Sequence, residues 1–92
     1  MIVRIMEEGQ YRLADTHLKA LNELDDSVVK AVEKGDRAAY RTAFARLIEY
    51  VRKNGAQLLV EELHGSDILV PRAEATFEEA RTLFVGEGII PN

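Results

Sequence analysis

The chain is organised around residues 36–54, whose sequence is DRAAYRTAFARLIEYVRKN. Apolar side chains recur there at helical spacing and, at about 100° per residue, occupy roughly a third of the helix circumference, the width of a face that packs on a core. They are Tyr40, Ala43, Phe44, Leu47, Ile48 and Val51. Asp36 is placed to cap the helix, while Lys53 and a left-handed Gly55 favour its end. The stretch predicts a core helix without chemistry of its own.

A second helix is predicted immediately before it, capped by Asp15, running to about Lys34 and ended by Gly35. Its apolar face consists of Leu18, Leu21, Leu24, Val28, Val29 and Val32. Because only Gly35 separates the two helices, they must turn back on each other and form an antiparallel helical hairpin.

Asp25 interrupts the apolar face of the second helix, because it projects between Leu21 and Val28. Burying an unpaired carboxylate is strongly unfavourable. Three alternatives are open. The helix breaks or turns to solvent at Asp25-Asp26-Ser27, Asp25 pairs with Arg4 or Arg12, or Asp25 is a functional carboxylate.

The N-terminus predicts a β-hairpin, with strands at residues 2–6 and 11–13 and a turn in which Gly9 supplies a positive φ. An isolated hairpin is marginal in water, so it needs a third strand or helices to lie on. Residues 67–70, ended by Pro71, are the candidate third strand. The apolar residues 58–60 form either a helical turn or an edge strand.

The C-terminal part predicts one short helix, opened by the capping box formed by Thr76 and Glu79. The face of this helix comprises Phe77, Ala80, Leu83 and Phe84, and Gly86 closes its end. The apolar residues 88–91 are expected to pack back on the protein. The fold class is therefore α+β, with one domain over residues 1–92: a helical hairpin packed with a small β-hairpin and a short C-terminal helix.

Composition excludes several classes of function. The chain has no cysteine, which removes disulfides, thiolate nucleophiles and cysteine-bound metals. A formal net charge of −4 disfavours non-specific binding to nucleic acid, which depends on cations that displace counterions from phosphate. The sequence shows neither a signal peptide nor an apolar run long enough to cross a bilayer. We expect a cytoplasmic protein.

No catalytic or metal-binding signature is present. The two histidines, His17 and His64, lack the spacing of metal ligands on a helix, and Ser66 lacks the flanking glycines of a nucleophile elbow. The sequence thus predicts a protein that is not an enzyme, with no catalytic residue, cofactor or metal.

The arginines of residues 36–54 are the other feature of interest. On a helical wheel, Arg37, Arg41 and Arg52 flank the buried stripe, whereas Arg46 and Lys53 point away from it. They form either a solvated basic face or a docking strip for an acidic partner.

Several segments together resemble the PspA-associated family, the small companions of phage shock protein A in some bacteria and archaea. The segments are MIVRIMEEGQYRL, LNELDD, VEKGD and SDILVPRAEATFEEARTLFVGEGIIP. The most specific parts are the opening hairpin, from Glu8 to Arg12, and the closing segment from Ser66 to Pro91. The resemblance implies an accessory protein of an envelope stress response. Its partner would be a PspA-like coiled-coil protein that assembles on stressed membranes.

Two surfaces are candidates for binding that partner. One is the arginine strip of Arg37, Arg41 and Arg52, and the other is the hairpin, through Glu8, Gln10, Tyr11 and Arg12. Contact with the inner face of the membrane would then be indirect, through the partner. The alternative function is a small winged-helix-like regulator that places the arginines against DNA phosphates, although the acidic balance counts against it. A hydrolytic enzyme is the weakest alternative.

Overall fold

A computed structural model describes residues 1–59, 65–86 and 88–90. The first half contains β1 (Ile2–Ile5), β2 (Gly9–Arg12), a 3₁₀ turn (Asp15–His17) and α1 (Leu18–Lys34). The second half contains α2 (Arg37–Asn54), β3 (Ala56–Gln57), β4 (Ile68–Val70) and α3 (Phe77–Ala80). These elements confirm the α+β prediction.

The strands form one four-stranded sheet in the order β3-β2-β1-β4. The predicted β-hairpin is present, with β1 and β2 antiparallel and Val3 opposite Tyr11. The predicted third strand is also present as β4, which lies parallel to β1 with Val3 opposite Ile68. The antiparallel helices leave the sheet after Arg12 and return to the same end, where Ala56 lies opposite Arg12 and Arg12 lies opposite Ile2, and a strand that starts at this end runs parallel to β1.

Residues 56–57, just before the apolar 58–60 segment, form the edge strand β3 beside β2. The amide of Leu58 extends this pairing by donating to the carbonyl of Gln10 at 2.9 Å. Of the two alternatives for this segment, a helical turn or an edge strand, the edge strand is the better description. The strand lies at residues 56–57, just before the predicted residues 58–60. Val60 falls outside the described residues.

The two helices are connected as predicted, through Gly35 and Asp36. Gly35 ends α1 in the left-handed conformation with φ 67°, and the Asp36 carboxylate accepts from the amide of Ala39 at 3.0 Å. Two predictions about the helix ends were wrong. Asp15 does not cap α1 but accepts from the N-terminal amine at 3.2 Å. Gly55 is extended, and a Cβ there would lie 2.7 Å from the Val51 carbonyl, so close packing explains the glycine.

The core lies between the helices and one face of the sheet. The stripe of α2 is buried as predicted, except that Ala43 is half-buried. On α1, Leu21, Val28 and Val29 are buried, but Leu18 is 40% exposed because α1 begins only at that residue. Leu24 and Val32, predicted on the same face, are half-buried.

Asp25 is 1% exposed within an unbroken α1, so the predicted helix break and the predicted solvent-facing edge were wrong. The predicted ion pair of Asp25 with Arg4 or Arg12 was wrong as well. The carboxylate accepts from the amide of Ile89 through Oδ1 and from that of Ile90 through Oδ2, both at 3.2 Å. Burial raises the pKa of Asp25, although the two amides oppose that shift. Asp25 therefore fixes the C-terminal tail, and Ile90 is buried as the tail prediction required.

The C-terminal helix is shorter than predicted. The Thr76 hydroxyl accepts from the amide of Glu79 at 3.2 Å, which is one half of the capping box. The Glu79 carboxylate binds Arg72 instead, with Nη2 to Oε1 at 2.7 Å. Since α3 ends after one turn, Leu83 does not join its buried face and is 51% exposed. Phe84 is fully buried nonetheless.

Candidate partner-binding surface

A groove of about 620 Å³ lies between α2 and residues 73–78. The hydroxyl of Tyr40 donates to the carbonyl of Ala75 at 2.8 Å and so holds this segment against the helix. Arg37, Arg41 and Arg52 all line the groove. They lie four and eleven residues apart, spacings that return to the same side of a helix. The arginine strip predicted from the sequence is thus one edge of a groove.

At one end of the groove, Arg37 is held by residues of α3. Its guanidinium pairs with the Glu78 carboxylate and lies 4.7 Å from the centroid of the Phe77 ring. Both charged side chains are more than half exposed, at 61% and 57%. Water therefore screens the pair, and its contribution to stability is small.

At the other end, Arg52 binds the hairpin turn. Its Nε donates to Glu8 Oε2 at 2.9 Å and its Nη2 to Oε1 at 2.5 Å, the forked geometry that makes arginine–carboxylate pairs specific. The Tyr11 hydroxyl also donates to Glu8 Oε2. The bond from Arg52 lowers the pKa of Glu8 to about 2, and burial together with the bond to Glu8 raises that of Tyr11.

The backbone of the turn aims Glu8 at Arg52. Gly9 has φ 140°, as predicted, but Glu7 also has a positive φ of 67°, which no residue pattern predicted. A non-glycine residue in this region is disfavoured by about 1 kcal/mol. Two positive φ angles around one residue turn the chain sharply, and the amide of Glu8 donates to the carbonyl of Ile5 at 3.0 Å.

The structure divides the predicted hairpin residues between the two faces of the sheet. Glu8 and Tyr11 form one hydrogen-bonded group with Arg52. These two residues of the predicted hairpin surface therefore lie beside the arginine strip. Gln10 and Arg12 alternate with Tyr11 and face the other way. Gln10 is 7% exposed and donates to the Ser66 hydroxyl at 2.9 Å, whereas Arg12 is exposed.

Arg41 lies between these two anchored arginines. Its side chain is exposed and makes no ion pair or hydrogen bond with any described residue. Glu49 and Glu74 line the same groove but do not neutralise it by direct contact. Arg41 is therefore the cation of the groove that is available to a ligand.

A second surface lies on α2 and was not predicted from the sequence. A shallow depression of about 920 Å³ follows the outward side of the helix and reaches Leu24 of α1. Its α2 lining comprises Arg41, Thr42, Ala45, Arg46, Glu49, Tyr50, Lys53 and Asn54. Arg46 and Lys53, which the wheel placed away from the core, belong to this surface. The sequence carried no signal for this surface, because periodicity placed Leu24 on the buried face of α1, whereas it is half-buried and lines the depression.

Among the described residues, the histidine and carboxylate side chains do not form a metal site. His17 Nδ1 lies 2.6 Å from the Tyr50 hydroxyl and ties the start of α1 to α2, while His64 lies outside the described residues. No group of three or more histidine, aspartate or glutamate side chains that could hold a metal ion occurs in the part of the chain that the structure describes. None of the described helices is long and apolar enough to span a membrane.

Comparison with known proteins identifies the family. The family model described as PspA-Associated protein matches residues 1–92, which is the whole chain. This match agrees with the resemblance carried by the opening hairpin and the closing segment. The searches of curated proteins and of solved structures gave no match. The chain belongs to the family of PspA-associated proteins.

Proposed function

We propose that the protein is a non-enzymatic adaptor of a phage-shock-type envelope stress response, and that it binds a PspA-like coiled-coil protein. Family membership supports an association with PspA. The observation that carries the proposal is that Arg37, Arg41 and Arg52 line one groove, with Arg52 joined to the hairpin through Glu8. Part of the predicted hairpin surface, Glu8 and Tyr11, therefore meets the arginine strip.

The groove combines features that suit a protein ligand. Its floor includes the buried rings of Tyr40 and Phe44, which stack with centroids 5.5 Å apart and give a rigid base. Arg41 is open to an incoming carboxylate, with which it can form charge-assisted hydrogen bonds. Because Arg37 and Arg52 are already held, the groove keeps its shape before binding and little ordering is required.

The groove offers arginines, carboxylates and aromatic rings, and none of its described lining residues is a serine, cysteine or histidine. This composition favours binding over catalysis. The adaptor acts in the cytoplasm and reaches the inner face of the membrane through its partner.

The winged-helix alternative requires the same arginines to contact DNA phosphates. Two of the three, Arg37 and Arg52, are already paired with carboxylates. A cation neutralised within the protein gives little counterion release, which is the main source of affinity for DNA. A gel shift that persists at physiological salt would revive this alternative.

The test is an affinity pull-down of tagged protein from its native cells under membrane stress. We expect recovery of a PspA-like protein, identified by mass spectrometry, and its loss from a variant with Arg37→Glu, Arg41→Glu and Arg52→Glu. A variant with Lys19→Glu, Lys30→Glu and Lys34→Glu, three exposed residues of α1, is the charge-matched control and should retain the partner. Recovery that is unchanged in the triple variant would overturn the groove as the binding site.

The hairpin contribution can be tested separately. Tyr11→Phe removes only the hydroxyl that donates to Glu8, and Arg12→Ala removes an exposed side chain on the opposite face. If the hairpin binds through its Glu8 side, Tyr11→Phe weakens recovery and Arg12→Ala does not. The reverse result would move the contact to the outer face of the sheet.

A further inference from the structure

The outward side of α2, described above as a shallow depression, has the dimensions of a helix-binding surface. It extends over residues 41–54, a length of roughly 20 Å at about 1.5 Å per residue. The depression is open to solvent along this length and does not enclose a cavity. A surface that is long, shallow and borne by two adjacent helices suits a third helix packed along it better than a small molecule.

The chemistry of this surface is that of an apolar strip edged by cations. Leu24, Ala45 and the ring of Tyr50 supply the apolar part. Arg41, Arg46 and Lys53 supply three positive charges against one negative charge from Glu49, and none of the three cations is ion-paired with another described residue. This local excess of positive charge lies on a chain whose formal net charge is −4. The charge complement of the surface is acidic.

We propose that this outer face of α2 binds an amphipathic helix of the partner protein. The apolar ridge of the partner helix packs on Leu24, Ala45 and Tyr50, and acidic residues beside the ridge meet Arg46 and Lys53. The proposal rests on the proposed function and deepens it, because it names the element of the partner and its charge.

A second copy of this chain does not fit as the occupant. Its acidic helix, α1, carries Glu23, Asp26 and Glu33, but the apolar face of α1 is already buried against α2 and the sheet. Leu21 and Val28, for example, are 1% and 0% exposed. The outer face of α2 does not suit a second copy of itself either, because pairing two such faces would bring Arg46 and Lys53 of both chains together, and like charges repel.

Site-directed cross-linking tests the proposal. Because the chain has no cysteine, a cross-linker attached to an introduced cysteine labels that position alone. Three single-cysteine variants, each carrying a benzophenone photo-cross-linker, are mixed with the purified PspA-like protein of the same organism. Thr42→Cys lies in the outer face alone, Glu74→Cys lies in the groove alone, and Lys30→Cys is an exposed control on α1. We expect Thr42→Cys to cross-link an acidic helical segment of the partner and Lys30→Cys to give background only.

The outcomes separate the two proposals. Cross-links from Glu74→Cys without any from Thr42→Cys would overturn the outer-face proposal and leave the adaptor function standing. Absence of any complex between the two proteins would overturn both. Cross-links from Thr42→Cys to a second copy of the chain would replace the partner helix with self-association.

Affinity measurements give a second, independent readout. Arg46→Glu combined with Lys53→Glu should weaken binding of the PspA-like protein about tenfold and reduce its salt dependence, since both charges lie at the edge of the contact. Lys19→Glu combined with Lys30→Glu changes the net charge equally and should leave the affinity within about twofold. Equal losses in the two variants would show a general charge effect and overturn the proposal.

Discussion

Glu8 in the hairpin turn and Asp25 in the middle of α1 are both withdrawn from water, but the chain compensates them in opposite ways. Glu8 receives a cation, Arg52, and the pKa of Glu8 falls to about 2. Asp25 receives two backbone amides and no cation, and burial raises its pKa. The contrast separates a charged network at the surface from a buried carboxylate that fixes the fold.

The largest expected effect concerns the tail beside Asp25. Gly88 has φ 82°, and a Cβ there would collide with both carboxylate oxygens of Asp25. Gly88→Ala should therefore lower the free energy of unfolding by about 3 kcal/mol, the sum of backbone strain and overpacking. Urea denaturation measures this loss.

Gly86 provides the matched control for that substitution. It also has a positive φ, 58°, but no atom lies within 4 Å of a Cβ built there. Gly86→Ala should consequently lower the free energy of unfolding by only about 1 kcal/mol, from strain alone. Equal losses at the two glycines would show that contact with Asp25 is unimportant.

Asp25→Asn should lower the free energy of unfolding by about 2 kcal/mol near neutral pH, because the NH2 group that replaces one carboxylate oxygen cannot accept and leaves one of the amides of Ile89 and Ile90 without its acceptor. The loss should depend on pH. Since the pKa of Asp25 is raised in the folded protein, its stabilising contribution is full below the unfolded pKa and declines as pH rises through the folded pKa.

The difference in stability between wild type and Asp25→Asn should therefore widen as pH is lowered. Urea denaturation at about pH 7 and about pH 4 measures it. A difference that narrows on acidification would mean that Asp25 is stabilised in its charged form, as Glu8 is.

Glu8→Gln should have a smaller effect of about 1 kcal/mol, because the Arg52 side chain is 43% exposed and water screens the pair. The pH dependence has the opposite sign to that of Asp25. The pKa of Glu8 is lowered from 4.5 to about 2, so wild type holds its advantage above 4.5 and loses it as pH falls toward 2. Thermal unfolding of both proteins across this range would show the curves converging at low pH.

Arg37→Ala should have the smallest effect, below about 0.5 kcal/mol, because both members of its pair with Glu78 are more than half exposed. A double-mutant cycle with Glu78→Ala measures the coupling between them. A coupling above about 1 kcal/mol would show that the Phe77 contact adds more than the exposure suggests.

Local patterns in the sequence were sufficient for much of the fold. The helical hairpin followed from spacing and from Gly35 and Asp36, and the β-hairpin followed from residues near Gly9. Contacts between distant residues were not accessible in this way. The partners of Asp25 are the amides of Ile89 and Ile90, which lie 64 and 65 residues further along the chain. No local pattern predicts a contact between residues so far apart.

The candidate site shows the same limit. A helical wheel was enough to place Arg37, Arg41 and Arg52 on one side of α2. It could not show that Glu8, 44 residues before Arg52, would join them, or that Gln10 would turn to the opposite face. The outer face of α2 was missed because it needs Leu24 from the neighbouring helix, which periodicity alone does not position.

The most direct test of the account is a calorimetric titration of the purified PspA-like protein of the same organism into wild type, Arg41→Glu and Lys30→Glu. Arg41 is the arginine of the groove that no described side chain neutralises, and it also lines the outer face. We predict that Arg41→Glu weakens binding at least about tenfold while Lys30→Glu matches wild type. Equal affinities for all three proteins would contradict the assignment of α2 as the partner-binding helix.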